Sequence, residues 1–157
     1  MKIREILAEG RPTLSFEVFP PKTEDNYESV EKAAREIAEL KPAFMSVTYG
    51  AGGGTSRYTV DLAAALNNDY RVPTLAHLTC VSSTRTHVKR VLEELKEKGI
   101  ENVLALRGDI PADGKVEKDY RYASELIREI REMGDFCIGA ACYPEGHVES
   151  ANKTEDI

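Results

Sequence analysis

The chain has 157 residues, 41% hydrophobic and 31% charged, the make-up of a folded globular protein and not of a disordered one. Its 21 basic and 27 acidic side chains leave a formal charge of −6, and without a basic face a nucleic-acid partner is not expected. No apolar run approaches the roughly 20 residues of a membrane span, and the opening MKIREILAEG is charged and amphipathic with no signal-peptide stretch, so the expectation is a cytoplasmic protein with no membrane partner.

Short β-rich apolar runs alternate with longer amphipathic ones. Strands are expected at Thr13–Phe19, Phe44–Tyr49, Thr74–Leu78, Val103–Leu106 and Phe136–Ala141. Their starts are 31, 30, 29 and 33 residues apart, each step the size of a strand–helix–return unit. Between them, Tyr27, Val30, Ala34, Ile37 and Ala38 share one helical face that ends before Pro42. A shorter helix runs from Tyr58 to about Leu66. Val88, Val91, Leu92 and Leu95 form a stripe that stops at Gly99, and Ala123, Leu126, Ile127 and Ile130 form another that stops at Gly134. Repeated β/α units imply parallel strands, because only a crossover returns the chain in the same direction. A doubly wound sheet and a (β/α)8 TIM barrel both satisfy this, and both place their chemistry at the C-terminal ends of the strands.

Those ends all carry titratable or hydrogen-bonding groups. Glu17 interrupts an apolar strand between Phe16 and Val18, an odd place for a carboxylate if both faces of the sheet are covered. A barrel interior would desolvate it and raise its pKa, suiting it to proton donation. Asp109, in Leu106-Arg107-Gly108-Asp109, reads equally as a turn residue paired with Arg107 and as a carboxylate facing a ligand. The loop Gly50–Ser56 lacks the lysine of a P-loop and has Thr55 where a dinucleotide fingerprint needs its third glycine. It reads better as a loop over a site, with Thr55 or Ser56 capping the next helix. His77 lies mid-strand, His87 on a helix and His147 in the last loop, a spacing that suits no metal. Cys80, Cys137 and Cys142 are odd in number and form no CxxC, which reads as reduced thiols without an activating His–acid pair.

Taken in order, Ser15-Phe-Glu-Val-Phe-Pro-Pro21, Val47-Thr-Tyr-Gly-Ala51, Ala76-His-Leu-Thr-Cys80, Leu106-Arg-Gly-Asp109 and Ala141-Cys-Tyr-Pro-Glu-Gly-His147 resemble methylenetetrahydrofolate reductase of the bacterial type. The resemblance covers essentially the whole chain and implies a (β/α)8 barrel with non-covalent FAD. It implies reduction of 5,10-methylenetetrahydrofolate to 5-methyltetrahydrofolate, with NADH or NADPH reducing the flavin in a ping-pong cycle that serves one-carbon metabolism and methionine supply. On it, Glu17 matches the general acid that opens the folate's imidazolidine ring, and Asp109 an acid beside flavin and pterin. Thr48, Tyr49, Ala51, His77, Arg107, Gly108, Asp109, Ile110, Tyr122, Ala123, Tyr143, His147, Ser150 and Asp156 fall on positions that resemble FAD contacts. The glycine-rich Gly50–Gly54 departs from the more polar loop the family would have there.

A barrel of this kind takes about 250 residues, and five units fill the 157 present. The expectation is therefore an N-terminal, five-unit part of the barrel. A rival expectation is an inactive fragment or subunit that completes its fold with a second copy or a partner chain, since an open barrel leaves strand edges unpaired. An unrelated dinucleotide-binding α/β domain is a third, disfavoured by the failed glycine fingerprint.

Overall fold

The computed structural model describes residues 1–21, 23–49, 56–110, 116–117, 119–147, 149–152 and 154. Five strands, β1 (Ser15–Val18), β2 (Phe44–Val47), β3 (Thr74–Thr79), β4 (Asn102–Leu106) and β5 (Cys137–Ala140), form one sheet in sequence order. Every neighbouring pair is parallel. After a short helix α1 (Ile3–Ala8), the crossovers are made by α2 (Tyr27–Ala38), α3 (Ser56–Asn68), α4 (Arg85–Glu97) and α5 (Ala123–Met133). This is the β/α rhythm expected, with the strands running straight through the sheet in order, as in a barrel wall and unlike a doubly wound sheet that reverses.

Alternation along the strands sorts the two faces. Met45, Val47, Ala76, Leu78, Val103 and Ala105 are fully buried and share one face in register. Leu62 and Leu66 of α3, Leu92 and Leu95 of α4, and Leu126 and Ile130 of α5 complete that core. Each such side chain contributes roughly 1.5–3 kcal/mol by leaving water. The helices stop where the sequence provides for it. After α4, Gly99 takes φ +74° and its N–H reaches the Lys96 carbonyl, while the Ile100 N–H reaches Leu95.

At the strand-start end, the Asn102 side chain fastens α1. Its Oδ1 accepts the Ile3 N–H at 2.8 Å, and its Nδ2 donates to the carbonyls of Met1 and Thr74. Lys2 pairs with Asp135, and the terminal amine with Glu101. Among the described residues no helix is long and apolar enough to cross a membrane.

Candidate functional site

The second face of the sheet carries the polar groups. Glu17 pairs in register with Ser46, and Ser46 with Leu75, so these residues and His77, two beyond Leu75, share that face on three adjacent strands. The Ser46 hydroxyl donates to Glu17 Oε2 at 3.0 Å. Nε2 of His77 lies 3.3 Å from the same oxygen, near enough for an ion pair but out of line for a hydrogen bond. His77 is 8% exposed, so a buried ring nitrogen is left without a hydrogen-bond partner. Burial holds the His77 pKa below its ordinary value, with the Glu17 charge opposing. The ring is therefore neutral at pH 7, and this contact is not a pairing of two full charges.

One expectation needs correcting. The sequence suggested a Glu17 desolvated by a barrel interior, but its side chain is 48% exposed. Alternation places it on the face that the crossover helices do not cover, and among the described residues only Ser46 and His77 make a hydrogen bond or ion pair with its carboxylate.

At the end of β2, Thr48 donates its N–H to Val18, and its carbonyl accepts the Thr59 hydroxyl at 3.0 Å. Tyr49 packs against the core, and its hydroxyl lies 2.9 Å from His87 Nε2 at the start of α4. Beyond β4, Arg107 forks onto Glu149, Nη1 to Oε2 at 2.5 Å and Nη2 to Oε1 at 2.9 Å. That bidentate bond raises the Arg107 pKa and lowers that of Glu149. Gly108 takes φ +84°, and a Cβ there would stand 2.9 Å from Thr79 Cβ. The β4 exit thus passes close over the end of β3. Asp109 and Ile110 follow, both exposed. Asp109 makes no hydrogen bond or ion pair among the described residues and is not joined to Glu17.

Beyond β5, Tyr143 and His147 meet edge to face at 4.8 Å, and the Ser150 N–H donates to the His147 carbonyl. Tyr122 and Ala123 lie at the start of α5, where the Tyr122 N–H donates to Glu125 and the Tyr122 carbonyl lies 3.9 Å from the Cys80 thiol. Burial first, and then Glu125, push that thiol up to about 11, so it is protonated at neutral pH. Ala51, Asp156 and the loop 50–55 lie outside the described residues.

The structure thus brings Glu17 and His77 together and gathers Arg107, Gly108 and Asp109 at one strand end. Sequence reading missed Ser46 and Glu149, and weighed His87 only as a metal ligand. Only Ser46 left a signal, as a small polar residue between two buried ones.

Parallel β/α units in sequence order, with polar side chains at the strand ends, define a chain of the TIM-barrel class. A solved structure of 4-hydroxy-tetrahydrodipicolinate synthase from Methylacidiphilum fumariolicum SolV overlays 86% of this chain on 45% of its own, with TM-score 0.55 and 13% identity, a likeness of fold. The family described as methylenetetrahydrofolate reductase matches residues 2–157, and the chain belongs to that family. It is 36% identical to 5,10-methylenetetrahydrofolate reductase of Pectobacterium carotovorum, over 99% of this chain and 52% of that one. It is 42% identical to methylenetetrahydrofolate reductase 2 of Schizosaccharomyces pombe, over 96% of this chain and 25% of that one. The chain thus spans about half the length of the bacterial relative and a quarter of the yeast one.

Proposed function

We propose that this chain contributes the acid and much of the flavin-binding wall to a reductase that converts 5,10-methylenetetrahydrofolate to 5-methyltetrahydrofolate, with NADH or NADPH as hydride source. Its five strands and four crossover helices are read as the N-terminal part of the barrel. Family membership supports the reaction. The observation that carries the site is the group formed by Glu17, Ser46 and His77, a half-exposed carboxylate beside a buried ring nitrogen that lacks a hydrogen bond. A buried unpaired polar atom is costly and calls for a partner.

The residues suit FAD. His77 Nε2 offers one unfilled hydrogen bond, and the Arg107–Gly108 backbone lies close over the end of β3. Thr48, Tyr49, Ala51, Ile110, Tyr122, Ala123, Tyr143, His147, Ser150 and Asp156 are read as completing the wall. When bound, the flavin supplies hydride relay between the two substrates. The chain's own part is to position and to protonate. Glu17 would donate a proton to the folate nitrogen whose departure opens the ring, and Asp109, exposed at the β4 exit, is read as the acid that would lie beside the flavin and pterin. Much of the rate comes from holding the reacting groups within about 3–3.5 Å of one another.

The test separates the half-reactions in the intact flavin-loaded protein. Glu17→Gln is expected to keep NAD(P)H-to-menadione turnover and to lose reduction of methylenetetrahydrofolate. Wild-type folate reduction in that variant would remove Glu17 from the mechanism.

A further inference from the structure

The contacts on Glu17 are lopsided. Ser46 donates to Oε2 at 3.0 Å, and His77 Nε2 stands 3.3 Å from that same oxygen. Among the described residues no hydrogen bond or ion pair reaches Oε1. Ser46 is 8% exposed and sits on a strand paired on both sides, so its hydroxyl is well fixed. Glu17 is a cross-strand neighbour in register, which sets the distance between the two side chains by the sheet itself.

A carboxyl group that donates a proton needs one oxygen to carry it and a geometry that aims it. A hydroxyl held by a strand can fix the second oxygen and with it the rotation of the whole group. We propose that Ser46 is a positioning residue for Glu17, holding Oε2 so that Oε1 is the oxygen that carries and delivers the proton. This inference rests on the reading of Glu17 as the acid. Ser46 itself touches no substrate in it and acts only through Glu17. His77 shares the Oε2 side, and its neutral ring blocks that approach without supplying a competing charge.

Two readouts test this. The first needs no flavin. The side-chain carboxyl carbon of Glu17, assigned by its loss in Glu17→Gln, is followed by carbon NMR in the chain labelled at Glu. Ser46→Ala is expected to move that resonance, and Ser46→Thr, which restores the hydroxyl, to bring it back. A resonance unmoved in Ser46→Ala overturns the contact. The second uses the intact flavin-loaded protein. Ser46→Ala is expected to slow folate reduction roughly tenfold more than flavin reduction, the scale of one hydrogen bond to a charged group, and Ser46→Thr to recover most of the loss. A slow Glu17→Gln beside an Ser46→Ala that is equally fast in both half-reactions overturns the role of Ser46 alone. Wild-type folate reduction in Glu17→Gln overturns the acid and the inference with it.

Discussion

The phenol oxygen of Tyr49 lies 2.9 Å from Nε2 of His87, and on the other side of that ring Nη2 of Arg90 lies 3.0 Å from Nδ1. A guanidinium only donates, so Nδ1 accepts and the neutral ring carries its proton on Nε2. His87 therefore donates to Tyr49 and ties the end of β2 to the first turn of α4. Thr84 sets that turn by capping the His87 N–H at 3.2 Å. His87→Phe is expected to cost about 1 kcal/mol in urea unfolding. His87→Gln should recover part of it. A His87→Phe chain as stable as its parent rules the link out.

Two histidines, His77 buried and His87 half-buried, make stability depend on pH. Burial lowers the pKa of both His77 and His87; Arg90 adds to the effect at His87, while Glu17 and Glu94 oppose it. Both folded values thus lie below the unfolded one of about 6.5. As pH falls below that value the unfolded chain takes up protons first, so this contribution is complete above about 6.5 and is lost toward the folded pKa values. The urea midpoint should fall between about pH 7.5 and about pH 5.5, and fall less in a His77→Gln/His87→Gln double variant. An identical drop in both proteins assigns the acid sensitivity to other groups.

Glu129 is buried on α5 at 4% exposure and is held from three sides. Arg85 Nη1 donates to it at 2.8 Å, Lys89 Nζ stands 3.8 Å away, and the Tyr120 hydroxyl donates to Oε2. Burial first, and then Glu129, raise the Tyr120 pKa. Tyr120→Phe leaves the carboxylate one donor short and is expected to cost roughly 1–3 kcal/mol. Denaturant midpoints read this directly, and a loss under a few tenths would mean that Arg85 satisfies Glu129 unaided.

Gly108 adopts φ +84°, and any Cβ added there meets Thr79 Cβ at 2.9 Å. Gly108→Ala is expected to destabilise by about 2 kcal/mol or more, through the left-handed backbone and the close approach together. Thermal melting of the variant checks it. An unchanged midpoint would show that the β4 exit can swing away from β3.

The β-rich apolar runs placed all five strands, and their spacing of about 30 residues matched the nearly fixed length of a crossover unit. The observed starts at Ser15, Phe44, Thr74, Asn102 and Cys137 lie within two residues of those expected. β1 begins two residues later than expected, at the Ser15–Phe44 pair, with the Ala43 N–H bonding the Leu14 carbonyl just before it. α4 begins three residues before its apolar stripe because Thr84 caps it, and caps are weaker signals than stripes. Pattern also named Glu17 and His77, since a polar residue in a buried strand stands out. It could not show that Ser46 meets Glu17, or His87 meets Tyr49, because both depend on register and on side chains 29 and 38 residues apart in sequence. Nor could it show the exposure of Glu17, which depends on what covers its face of the sheet.

The bond from Asn102 to the Ile3 amide joins positions 99 residues apart. Most helices find their partners in the chain just before or after them, but this one waits. Asn102 lies at the start of β4, so this hold on α1 forms only once β4 has been made. Through the same Asn102 side chain, which also bonds the Thr74 carbonyl, the docking of α1 reports that β3 and β4 stand side by side.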